Sequence, residues 1–164
     1  MNFDDAIVTA LGSNLTGGRA SSVAVLESAL ARFEAVGLKI LSLSSFWRSA
    51  SWPDPAKPDY INAVALVETS LGPQAALDAL HGLEAEFGRE RSEDNAPRVL
   101  DLDLIAYGRT ICESPALPHP RAADRLFVMG PLAEIAPDWR HPVLGETALA
   151  LAAKSHVGSD ATPI

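Results

Sequence analysis

The chain has 164 residues, 48% of them hydrophobic, a single cysteine and a formal net charge of -8. That length supports one globular core, the lone Cys112 excludes an intrachain disulfide or a cysteine-built zinc site, and the acidic balance opposes general affinity for nucleic acid or anionic lipid. Neither an apolar run of about 18 residues nor a basic-flanked signal segment is found, so a single-domain cytoplasmic monomer without nucleic-acid or membrane partners is expected.

Residues 6–11 form an apolar run closed by Gly12, Ser13 and Asn14, which reads as a first strand entering a turn. From Ser21 on, Val23, Leu26, Leu30 and Phe33 recur at helical spacing, and Gly37 closes the pattern as a C-cap. Residues 38–48 read as a second strand, with Leu41 and Leu43 alternating against Ser42 and Ser44. Residues 49–59, SASWPDPAKPD, hold three prolines and form a loop too long for a mere connection. Residues 60–69, YINAVALVET, read as a third strand. Gly72 and Pro73 then open a second helix with Leu77, Leu80, Leu83 and Phe87 on its buried face and Gly88 at its end. Polar residues 89–95 make a second loop, and residues 99–107 a fourth strand.

This βαββαβ order predicts an α+β fold with a ferredoxin-like core, an antiparallel sheet with helices packed on it. A C-terminal helical extension follows. It comprises a return strand near residues 110–112, a helix over 124–135 broken or kinked at Gly130 and Pro131, and a last helix over 144–154. The core is expected within residues 6–137, and residues 155–164 as a disordered tail.

The fourth strand alternates Leu100, Asp101, Leu102, Asp103 and Leu104. Asp101 and Asp103 therefore project from one face, with Cα atoms roughly 6–7 Å apart. Such a pair is either the solvated face of an amphipathic strand or a set of hard oxygen ligands for Mg²⁺, which takes the rest of its shell from water and phosphate. Of the 13 lysines and arginines, six are arginines between positions 89 and 125: Arg89, Arg91, Arg98, Arg109, Arg121 and Arg125. Surface pairing with Glu90, Glu93 and Asp94 is one reading. The other is a small anionic ligand, whose oxygens match the guanidinium fork. Carboxylates and arginines together describe a polyphosphate site, where catalysis is positioning and charge neutralisation. With no G-x-x-x-x-G-K-[ST] or G-x-G-x-x-G run in the chain, arginines and metal must hold the phosphates.

Other candidates are less defined. His81 and Glu84 share a side of the second helix, and spacing alone favours an exposed pair. His119 lies between Pro118 and Pro120, which hold its backbone extended for a ligand contact or a bond to a loop carbonyl. Tyr60, Asn62 and Phe127 form no linear motif; the rings suit either the core or a flat heterocycle whose edge an amide would read.

The ordered set ALGSN (10–14), SSFWRS (44–49), PDYINAV (58–64), GRER (88–91), PRVLDLDL (97–104), PHP (118–120) and RLFVMGPLAEIAP (125–137) resembles the 6-hydroxymethyl-7,8-dihydropterin pyrophosphokinases over about residues 6–137. The resemblance implies transfer of diphosphate from ATP to the pterin hydroxymethyl oxygen, releasing AMP, in folate biosynthesis. Asp101 and Asp103 match the ligands of two Mg²⁺ ions, and with Arg89 and Arg98 they make up the implied catalytic set. Arg89, Arg91, Arg98, His119 and Arg125 match ATP and phosphate contacts, while Leu77, Glu84 and Leu104 fall where the nucleotide pocket is lined. Tyr60 and Phe127 match an aromatic clamp on the pterin, and Asn62 the residue that reads its polar edge.

Two departures stand out. Where the family's second loop commonly carries a further arginine and then Trp-Gly-Pro-Arg, this chain has Ser92 to Ala96 leading into Pro97 and Arg98, in a loop one residue shorter. Such loops close over substrates. In the first loop Ser49, Ala50, Ser51 and Trp52 replace a more proline-rich version, and Ser49, Ala50 and Trp52 are assigned to the pterin, with Trp52 standing in for the missing lid tryptophan. The altered lid admits a catalytically degenerate ATP- and pterin-binding relative as an alternative. The sheet architecture admits an RNA- or protein-binding platform, which the acidic total disfavours.

Overall fold

The structure, a computed structural model, describes residues 3–14, 21–50, 58–88 and 99–164. Strand β1 (Ile7–Ser13) leads to helix α1 (Ser22–Phe33), whose N-cap Ser21 accepts the Ala24 N–H at 3.1 Å. A 3-10 turn (Glu34–Val36) follows and ends at Gly37, where φ of 92° requires glycine. The second predicted strand is two: β2 (Lys39–Leu43) and β3 (Trp47–Ser49). Both pair with β4 (Tyr60–Glu68); the register of β2 shifts between Ile40 and Ser42, and Leu41 and Leu43 are exposed. Helix α2 (Pro73–Glu86) starts with proline at its first turn, and β5 (Asp101–Tyr107) completes the core.

The sheet order is β5-β1-β4, with β2 and β3 both on the far side of β4, all antiparallel. This is the ferredoxin-like arrangement the element order predicts. Helices α1 and α2 cover one face, burying Val25, Leu26, Phe33, Leu80 and Leu83 against Leu11, Ile61, Ala65, Leu102 and Leu104.

Beyond β5 the structure corrects four expectations. Residues near 110–112 do not return to the main sheet: β6 (Cys112–Glu113) pairs only with β7 (Ala116–Leu117) as a small separate ribbon. Cys112 is half-buried, its thiol donating to the Pro115 carbonyl. Helix α3 (Leu126–Ile135) begins after a 3-10 turn (Ala122–Asp124) and runs through Gly130 and Pro131 unbroken. Its apolar residues Val128, Met129 and Leu132 are fixed against Val8, Ala10, Val64, Leu66 and Ile105 on the second face of the sheet. That burial outweighs the one backbone bond that proline removes. The last helix, α4 (Ala148–Lys154), starts four residues later than expected, capped by the Thr147 hydroxyl.

The tail is the fourth correction. Residues 155–164 are placed and tied down: β8 (Thr162–Pro163) pairs with β3, the Ile164 N–H donates to the Phe46 carbonyl at 2.9 Å, and Ala161 is buried. Long-range hydrogen bonds order a segment whose own composition carries no periodic signal.

Candidate active site

Antiparallel register sets which side chains share a face. Asp101 pairs with Gly12, Gly12 with Asn62, and Asn62 with Trp47, so these four form one transverse row across β5, β1, β4 and β3. The next row, Asp103, Ala10 and Val64, points the same way. Further along come Val8 and Leu66, buried under α3. One face of the sheet thus changes from apolar under α3 to polar at one end. Asp101, Asp103, Asn62 and Tyr60 lie at that end and are only partly buried. This is why an apolar strand carries two carboxylates: Leu102 and Leu104 fill the core under α1 and α2, and the aspartates stand on the opposite face where helix cover ends.

Gly12 is a site residue the sequence reading passed over. A Cβ there would lie 2.7 Å from Asn62 Nδ2, so the bare glycine is what lets the amide lie across β1, where Nδ2 reaches the Leu11 carbonyl at 3.4 Å. Glycine at a strand interior is a signal of such close approach, but the partner becomes known only from the register. Trp47 was missed likewise. Its indole covers Gly130 of α3, where a Cβ would meet Cζ3 at 2.6 Å, and its Nε1 donates to the Glu134 carboxylate at 3.1 Å. The same carboxylate accepts the Ser45 N–H at 2.6 Å, fastening α3 to the sheet.

His119 is fixed to β5 by its backbone N–H, which donates to the Ile105 carbonyl at 2.8 Å. Its Nδ1 accepts the Arg121 N–H at 3.2 Å, so the neutral ring carries its proton on Nε2. Burial, then repulsion from Arg125 and Arg121, pushes its pKa down to about 4, against the opposing pull of Asp101. His119 is therefore a neutral donor at pH 7 among the site's charges. The Arg125 guanidinium lies 5.6 Å from the centre of the Phe127 ring, at the start of α3. Arg109, by contrast, donates to the Arg140 carbonyl at 2.8 Å, and its role there is to hold a loop.

Glu84 overturns the exposed reading. It is 2% exposed, and its Oε2 accepts the Leu102 N–H at 2.8 Å. Among the described residues strand β5 is the sheet's edge, with β1 as its neighbour, so its outer N–H between the two aspartates needs an acceptor from elsewhere. Glu84 supplies it from α2. Leu77 is half-buried and Leu104 almost fully buried, both across the sheet from the aspartates. Ser49 pairs with Tyr60 at the end of β3, and Ala50 follows it. Trp52, Arg89, Arg91 and Arg98 lie outside the described residues.

Paired carboxylates, the Arg125 guanidinium, a neutral histidine and an amide thus come together at one end of the sheet, donor types that suit phosphoryl-group chemistry. Comparison with known proteins makes this specific. A family model described as 7,8-dihydro-6-hydroxymethylpterin-pyrophosphokinase (HPPK) matches residues 8–137. The 2-amino-4-hydroxy-6-hydroxymethyldihydropteridine pyrophosphokinase of Pseudomonas aeruginosa is 37% identical over 139 residues, covering 83% of each chain. That of Synechocystis is 44% identical over 129 residues, 77% of this chain and 66% of the relative. The folic acid synthesis protein fol1 of Pneumocystis carinii is 39% identical over 144 residues, and the match spans 87% of this chain but 19% of that protein. A solved chain described as "HPPK-DHPS in complex with substrates" shares the fold at TM-score 0.72 and 12% identity, over 90% of this chain and 42% of its own. The chain belongs to the HPPK family, the ATP-dependent pyrophosphokinases of folate biosynthesis. Among the described residues no helix is long and apolar enough to cross a membrane.

Proposed function

We propose that this chain transfers diphosphate from ATP to the hydroxymethyl group of 6-hydroxymethyl-7,8-dihydropterin, with the polar end of the sheet as its site. The observation that carries the reading is the row Asp101, Gly12, Asn62. It sets a carboxylate two strands, about 10 Å, from an amide on the same face, a span that lets metal-bound phosphates and a heterocycle meet between them. Asn62 reads the pterin's polar edge, and Tyr60 and Phe127 cover its faces. Neutral His119 donates from Nε2, and Arg125 with Arg89, Arg91 and Arg98 neutralises phosphate charge. Leu77, Glu84 and Leu104 support the nucleotide side, Ser49, Ala50 and Trp52 the pterin side.

Asp101 and Asp103 fit two Mg²⁺ ions by donor type: hard oxygens, paired on one face, at an open sheet end. Among the described residues no group of three or more His, Cys, Asp or Glu could hold a metal, so phosphate and water oxygens complete the shell. Bound there, Mg²⁺ would neutralise developing charge on the phosphates. In the transfer, the pterin hydroxymethyl oxygen bonds to the β-phosphorus and the bond from that phosphorus to the α–β bridging oxygen breaks. AMP leaves with the bridging oxygen, and the hydroxyl proton passes to solvent. No side chain is assigned as an obligatory base. We propose further that the protein is a cytoplasmic monomer; its single Cys112 is a free thiol.

Product analysis tests it. With ATP, Mg²⁺ and the dihydropterin, AMP and pterin diphosphate are expected in equal amounts; ADP, or no turnover beside an active reference enzyme, would refute the assignment.

A further inference from the structure

The C-terminal segment, residues 156–164, lies wholly outside the span that matches the family model, which ends at residue 137. It nevertheless touches the pterin side of the site at both ends. At one end it is tied to the start of α3: the Val157 N–H donates to the Asp124 carbonyl and the Leu126 N–H to the Val157 carbonyl, both at 2.9 Å, with a parallel bridge between Arg125 and Val157. Gly158 then passes under the Phe127 ring, so closely that a Cβ on it would lie 2.5 Å from Cδ1. At the other end the Asp160 carboxylate accepts the Ala50 N–H at 2.7 Å, and Thr162 and Pro163 extend the sheet beside Arg48 and Trp47.

We infer that this segment is a positioning wall for the pterin, holding Phe127 from one side and the end of β3 from the other so that the ring pocket keeps a fixed width. The inference deepens the proposed function and rests on its assignment of Tyr60, Asn62 and Phe127 to the pterin. The physical basis is direct. Leu126, next to Phe127, opens α3 and Ala50 follows the last residue of β3, places where backbone N–H groups lack partners within their own elements. The tail supplies partners to both. Among the described residues assigned to metal or nucleotide, the contacts of the segment reach Arg125, so its effect is expected chiefly at the pterin.

The test is steady-state kinetics of Asp160→Ala, a replacement at an exposed side chain, with Asp160→Asn and Asn62→Ala in parallel. Asp160→Ala is expected to raise KM for the dihydropterin about tenfold while kcat and KM for ATP stay within about twofold, as for loss of one charge-assisted bond. Asp160→Asn keeps an acceptor oxygen and is expected to restore most of the loss. An unchanged dihydropterin KM in Asp160→Ala, or an equal rise for ATP, overturns the wall while a raised KM in Asn62→Ala leaves the site reading standing. A normal dihydropterin KM in Asn62→Ala removes the site reading and the wall with it. Hydrogen exchange on the unaltered protein gives a second reading: adding dihydropterin to the complex with a non-hydrolysable ATP analogue should slow exchange at Ala50 and residues 158–164. No added protection there contradicts the inference.

Discussion

Replacing Glu84 by alanine should damage both the fold and the proposed metal site, through one hydrogen bond. The Glu84 carboxylate, 2% exposed, accepts the Leu102 N–H at 2.8 Å, and Leu102 is itself 1% exposed. A hydrogen bond to a charged group contributes about 1.5–3 kcal/mol, and a buried donor left without an acceptor costs about 1–3 kcal/mol. These overlap, so a loss of about 3 kcal/mol is expected. For a chain of 164 residues that lowers Tm by roughly 6–12 °C. Glu84→Gln keeps an acceptor oxygen and should lose about 1 kcal/mol or less. Since Leu102 lies between Asp101 and Asp103, the alanine variant should also need several-fold more Mg²⁺ for half-maximal rate, with the glutamine variant between it and the parent. Thermal melts and Mg²⁺ titrations of turnover measure both. An alanine variant melting within 2 °C of the parent (about 1 kcal/mol by the same conversion) with unchanged Mg²⁺ dependence would refute the reasoning.

Gly12→Ala places a Cβ 2.7 Å from Asn62 Nδ2. It should raise the dihydropterin KM by about 5- to 150-fold, corresponding to about 1–3 kcal/mol for a displaced hydrogen-bonding amide, with little change for ATP; equal effects on both substrates would contradict the Asn62 assignment. Gly130→Ala should cost about 1–3 kcal/mol through overpacking against Trp47, and much less in a Trp47→Phe background, so a double-mutant cycle showing no coupling would refute that contact. For His119 the sign follows from its lowered pKa. Between the ordinary value of 6.5 and about 4 the unfolded chain binds the proton and the folded chain does not. Stability from this group is therefore full above the ordinary value and is lost as pH falls through that window, on the order of 3 kcal/mol at most. In the metal-free protein its ring should titrate by NMR with a midpoint near 4, and His119→Gln should lose less stability than the parent over the same range; a midpoint at or above the ordinary value would contradict it.

Local sequence carried the elements and half of the site. The spacing of Val23, Leu26, Leu30 and Phe33 defined α1, Gly37 the end of the 3-10 turn that follows it, and the alternation around Asp101 and Asp103 the face they share, because helix and strand periodicity are properties of neighbouring residues. What the sequence left out was settled by partners far along the chain. Glu84 could not be told from an exposed carboxylate without the open edge of β5, and Gly12 could not be tied to Asn62 without the register of β1 on β4. Leu41 and Leu43 alternate like core residues, yet both are exposed, Leu41 at the register shift of β2 and Leu43 opposite Ala65 of β4. The tail has the composition of a disordered segment but is held by bonds such as that from Ala50 to Asp160, 110 positions apart.

The most direct test of the central claim, that Asp101 and Asp103 hold the metal for diphosphate transfer on the face that binds the pterin, is AMP release by Asp101→Asn as a function of Mg²⁺. We expect a folded protein that still binds the dihydropterin and whose kcat is lower by about 10²–10³-fold. Release of AMP at the parental rate, with the parental Mg²⁺ dependence, would contradict it.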